Sequence, residues 1–147
     1  MEIDLNKRYQ SMLILWFAML MSVVMYFVLA MLAAPPIRVG PRPQSESLLI
    51  VGLIMAGALI VAISFFIKKK FLERAINEQK PGGVQVAMII GLAMCEVSAL
   101  LGLFERFAYA NREFFWLFLF AVGGMLLHRP KRSQLEAASY KSKGMQF

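Results

Sequence analysis

One acid in this 147-residue chain stands inside a long apolar run: Glu96, near the middle of the stretch Val84 to Phe104. A charged side chain at the centre of a bilayer costs roughly 2.5–3.5 kcal/mol on insertion scales. Glu96 must therefore be protonated, paired, or turned toward other helices or water, and the neutral, proton-exchanging acid is the simplest of these states. Its neighbourhood is patterned. Gly91, Cys95, Ser98 and Gly102 recur at spacings of four, three and four, a stripe of small residues that lets another helix approach closely. Glu96 lies about 100° round the helix from Cys95, at the margin of that stripe. Three roles stay open for it. It is a structural acid hydrogen-bonded to Ser98, a backbone carbonyl or a partner helix; or it handles protons or cations; or it pairs with a basic residue of another subunit.

The other chemistry-bearing residues are sparse. His128 is the only histidine, and at the end of an apolar run a lone His favours a helix C-terminus. Cys95 is the only cysteine, so no internal disulfide is expected, and a small buried packing role suits it. No nucleophile–base pair, phosphate loop or metal-ligand spacing occurs, so neither enzymatic catalysis nor a metal or other cofactor is expected. Glu105, Arg106, Arg112 and Glu113 flank a short connection and are expected to pair with one another at the surface.

These residues sit on apolar segments that a soluble core does not need. The chain is 59% hydrophobic and 17% charged, against about 45–50% and about 25% in ordinary soluble domains. A spanning helix takes about 20 apolar residues. Segments 12–34, 48–67 and 84–104 meet that requirement, and 114–127 is shorter. Charge decides the last one. With four spans, all but Arg38, Arg42, Arg106 and Arg112 of the 16 Lys and Arg fall on one side. That is the bias expected of cytoplasmic loops. The sequence thus predicts an all-α integral-membrane four-helix bundle, residues 1–147 as a single membrane domain, with the N and C termini cytoplasmic. The first span exceeds the apolar core of a cleaved leader and is expected to stay. Arg112 and His128 are expected to snorkel at the two ends of the short fourth span, and Trp16 and Trp116 to anchor at opposite interfaces.

Between the spans, Pro35 to Pro43 holds four prolines and reads as a stiff extended connector. Lys68 to Gln79 continues the second helix as an amphipathic segment, broken by Pro81-Gly82-Gly83. The polar tail 130–147 is expected to fray beyond its first turns. The net charge of +7 follows from topology and lipid headgroups; the scattered basic residues lack interleaved aromatics, so no nucleic-acid partner is expected. Phe114, Phe115, Phe118 and Phe120 make the fourth span look better suited to lipid than to a close helix crossing, although Gly123 and Gly124 could supply one near its cytoplasmic end. The small stripe is therefore expected to meet a partner subunit, or a second copy of the chain, through the third span.

The segment from Gly91 to Leu103, with Glu96 between small residues and a following Gly102-Leu103, resembles the ion-binding helix of the ATP synthase proteolipid subunit. The polar loop ending in Lys80-Pro81 is similar to that subunit's hairpin loop. The resemblance implies that Glu96 corresponds to the acid that binds and releases the transported ion. It covers one helix and the loop before it; the preceding span has Gly52 and Gly57 but no ladder of alternating glycines. The whole chain, with His128-Arg129-Pro130 closing its last span, resembles a group of small bacterial four-span membrane proteins, which implies an inner-membrane location and no particular activity.

The function expected is an accessory or structural subunit of a larger, energy-transducing membrane complex. The alternatives are a homo-oligomeric proton or cation pathway using Glu96, and a small four-helix transporter. Few polar groups stand in the spans, which favours the first, because a pathway needs several polar or wet positions.

Overall fold

The chain folds as α1 (Glu2–Leu32), α2 (Gln44–Asn77), α3 (Pro81–Tyr109), α4 (Phe114–Leu127) and a short α5 (Arg132–Ala137). This computed structural model describes residues 2–139, and among them there is no strand. The first three helices are each long and apolar enough to cross a membrane, and α4 is a 14-residue apolar helix.

Helix boundaries follow local chemistry. Pro35 to Pro43 stays out of helix, and α2 begins directly after it. α2 runs on past residue 67 to Asn77, as the amphipathic pattern predicts, with Ala75 buried and Leu72 and Ile76 against the core. Pro81 opens α3 at a position where its missing N–H costs nothing. α3 then continues beyond Phe104 to Tyr109 and stops at Ala110, whose φ of 49° makes a left-handed cap with its N–H on the Arg106 carbonyl. Glu105 and Arg106 are thereby carried inside a helix and buried, not set on a surface connection.

α3 is the central helix and packs against α1, α2 and α4. Its small stripe is what makes this possible. Gly102 and Ser98 of α3, with Gly57 of α2, form a hollow that receives Leu117 and Phe118 of α4. A Cβ on Gly102 would lie 3.0 Å from Leu117 Cβ, and one on Gly57 would overlap the Leu117 side chain. One turn further along, Cys95 sits opposite Gly124, and a turn beyond that Gly91 takes the His128 ring. Lipid tails are as apolar as leucine, so such close packing is a main source of helix association in a bilayer.

This geometry corrects two expectations. Of the four phenylalanines, Phe114 and Phe118 are not lipid-facing but buried, with Leu117, between the other helices, whereas Phe115 stays exposed; Phe27 of α1 stacks edge-on to Phe118 at 5.4 Å between ring centres. The stripe of Gly91, Cys95, Ser98 and Gly102 is buried within the chain by α2 and α4, so it offers no face to a partner. The bulk of α4 and the small residues of α3 are complementary halves of one contact. The first turns of the tail form α5, which docks with Leu135 and Ala138 buried; the stretch expected to fray beyond them, 140–147, lies outside the described residues.

Candidate functional site

Three polar clusters hold the helices together. The first contains Glu96. Ser22 and Tyr26 are the polar side chains of the first span, one turn apart on α1, and both reach the same carboxyl oxygen. Ser22 Oγ lies 2.7 Å from Glu96 Oε1, and the Tyr26 hydroxyl lies 3.1 Å from it. Ser22 Oγ is also 2.7 Å from the Met19 carbonyl. A hydroxyl has one proton, so Ser22 can donate to only one of these acceptors. If Glu96 is protonated, its O–H donates to Ser22, Ser22 donates to Met19, and every short contact becomes a hydrogen bond. In either protonation state the two hydroxyls tie Glu96 of α3 to α1. Glu96 is half-buried and bridges α3 to α1; Ser98 instead donates to the Leu117 carbonyl of α4 at 3.2 Å.

The second cluster was not singled out as a unit in the sequence. Ser64 of α2 places its Oγ 2.9 Å from His128 Nε2 and 3.8 Å from Cys95 Sγ. All three residues are fully buried, and Phe65 lies edge-on to the imidazole at 4.4 Å. Lys68 reaches over to the His128 carbonyl at 3.2 Å, and Trp16 Nε1 donates to the Met125 carbonyl at 2.8 Å. Carbonyls at the end of a helix lack intrahelical partners and attract cations, so both contacts close the C-terminal end of α4. The expected snorkelling of His128 is corrected: the ring points inward, into the space that Gly91 leaves. Ser64, His128 and Cys95 look like nucleophile and base by type; they are buried where α2, α3 and the end of α4 meet. The signal in the sequence was depth, since Ser64 and His128 each stand near the basic end of their spans.

The third cluster ties together the loops at the opposite end. Arg38 N–H donates to the Ala110 carbonyl at 2.9 Å, fastening the proline connector to the α3–α4 turn. Arg42 pairs with Glu113 at 3.1 Å, and Asn111 donates to Glu105 at 2.5 Å. The expected mutual pairing of Glu105, Arg106, Arg112 and Glu113 is corrected: the acids bond to Asn111 and Arg42, and Arg106 lies over the Phe114 ring at 5.7 Å. Partial burial pushes the Glu113 carboxyl up, but backbone N–H groups and Arg42 outweigh it and hold it below the usual carboxylate range.

Among the described residues no three His, Cys, Asp or Glu side chains gather as metal ligands would. No protein-family model, curated protein or solved structure matches the chain.

Proposed function

We propose that this chain is a non-enzymatic accessory subunit of a bacterial inner membrane. It crosses the bilayer four times with both termini cytoplasmic, and it packs against another membrane protein through the outward face of α2. The observation that carries the reading is the pair Gly52 and Ala56. They stand four residues apart, both exposed, and a Cβ on Gly52 would meet nothing within 4 Å. Small residues at this spacing on an open helix face offer close approach to another helix. With the α3 stripe occupied inside the chain, α2 is where a partner of this kind fits. The likeness of the Glu96 segment to a proteolipid helix points toward an energy-transducing complex as the larger assembly.

Site-directed cross-linking in native membranes tests this. In a Cys95→Ser background, Gly52→Cys and Ala56→Cys should each give a thiol cross-link to a second membrane protein, or to a second copy of the chain. Ser98→Cys should give none. Absence of a product at both α2 positions, or a product from Ser98→Cys, would refute the partner face.

A second reading, proton exchange at Glu96, draws support from the Ser22 geometry. A proton on Glu96 orders Ser22 toward Met19, and its loss turns Ser22 toward the carboxylate, so the pair α1–α3 would register the protonation state.

A further inference from the structure

At the end of the bundle where α1 and α3 finish, a cavity of about 610 Å³ is lined by Met31, Ile37, Arg106, Arg112, Phe114 and Phe115. We propose that this cavity binds an amphiphile whose phosphate-bearing headgroup carries a net negative charge, with no cation of its own beside the phosphate, so that Arg106 and Arg112 supply the countercharge and the apolar side chains run along the adjoining part of the molecule.

Arg106 carries the argument. It is only 5% exposed, yet its Nε and Nη1 have no hydrogen-bond partner. An unpaired guanidinium taken out of water is costly, and the usual remedy is an anion that accepts from its fork. The planar fork suits a phosphate bidentately. Phe114 holds it from one side at 5.7 Å without supplying an acceptor. The acids at this end are engaged elsewhere: Glu113 with Arg42, Glu46 with Arg38, and Glu105 with Asn111, although Glu105 Oε2 itself has no partner. Arg112 is exposed at the mouth and makes no ion pair among the described residues. Arg106 and Arg112 thus both line one cavity without an acid partner among the described residues.

The remaining wall is apolar. Met31 and Phe115 are 53% and 44% exposed, so the cavity opens along the side of the bundle where acyl chains lie. A soluble anion needs the arginines alone, whereas an amphiphile uses both kinds of wall. The volume falls within the range of about 300–1,000 Å³ typical of small-molecule sites. The inference rests on the membrane reading, but it needs no protein partner.

Trp116, exposed and next to Phe115, is a native reporter. The full chain with Trp16→Phe would be reconstituted in vesicles containing dibrominated phosphatidylglycerol or dibrominated phosphatidylcholine at equal mole fraction. Successful reconstitution with protected spans separates failure of this site from failure of the membrane reading. Trp116 should show about fivefold stronger association with the anionic lipid, on the scale of one well-placed basic residue. Arg106→Gln and Arg112→Gln should each bring the ratio close to one, Arg106→Lys should keep part of it, and Arg38→Gln, outside the cavity, should leave it unchanged. Since Arg112 is exposed, its variant gives the answer even if Arg106→Gln fails to fold. Inorganic phosphate should not displace the brominated lipid; displacement would assign the site to free phosphate and overturn the amphiphile. Equal quenching by both lipids in the parent, or equal loss with Arg38→Gln, would overturn the site altogether.

Discussion

At Glu96 the protonation state decides what a substitution does. Gln keeps the shape, and whichever amide atom stands at the Oε1 position can bond both hydroxyls: the oxygen accepts from Ser22 and Tyr26, and the NH2 donates to both. Glu96→Gln should therefore change stability by no more than about 1 kcal/mol, the worth of one hydrogen bond. Lys cannot become a neutral isostere, and Glu96→Lys should cost about 2.5–3.5 kcal/mol or more. Thermal unfolding in detergent, with insertion monitored in parallel, distinguishes the two; a Gln variant as damaged as the Lys variant would mean that the carboxylate is required. Much of this site was open to the eye in the sequence. Glu96 stands out as a membrane acid, and Ser22 and Tyr26 are polar residues within the first apolar run. What depth alone does not give is rotation, and rotation is what aims Ser22 and Tyr26 of α1 at Glu96 while Ser98 turns away to α4. The same gap hid the Ser64–His128 contact. By type the histidine suits a helix end; its inward turn depends on Gly91 being opposite.

The helix pairs show where local pattern stops. Helix class, the extension of α2 beyond the apolar run and the break at Pro81 all follow from composition, periodicity and proline chemistry. The role of α4 does not. Its run of phenylalanines carries the same apolar signal whether it meets lipid or a hollow of small side chains, and the hollow is built from residues on two other helices, Gly57 and Gly102. The end of α3 was hidden for a related reason. Glu105 and Arg106 read as a boundary, but Asn111 and Phe114 accommodate them and the helix continues. Two adjacent glycines of α4 provide an internal control on the contact. A Cβ on Gly124 would fall 2.7 Å from Cys95 Sγ and 2.8 Å from Val61 Cγ1, while one on Gly123 would meet nothing within 4 Å. Gly124→Leu should thus destabilise the bundle by about 1–3 kcal/mol through overpacking. Gly123→Leu should change it little, and removing a helical glycine offsets part of any loss. Denaturation of both variants in the same detergent checks this, and equal effects would contradict the packing of α4 between α2 and α3.

For the whole molecule, the polar groups fall into two ends and a middle. Basic residues concentrate at the end where α5, Lys68 and His128 meet, arginine–glutamate pairs fasten the loops at the other, and Glu96 with Ser22 and Tyr26 bridges α1 and α3 between them. This is the distribution that a bilayer imposes on a chain crossing it an even number of times. Three helices are long and apolar enough to cross a bilayer. The fourth crossing rests on charge, because α4 is about 21 Å long at 1.5 Å per residue and falls short of the hydrocarbon thickness. The partner face proposed on α2 and the headgroup cavity proposed beside Arg106 both rest on the membrane reading, of which that proposed fourth crossing is the central claim. It is tested most directly by labelling single cysteines with a membrane-impermeant thiol reagent in a Cys95→Ser background. Ser45→Cys, at the start of α2, should react from the outer face of sealed membranes, and Ser139→Cys, just beyond α5, only after the cytoplasmic face is opened. Labelling of both from the same face would contradict the four-span account.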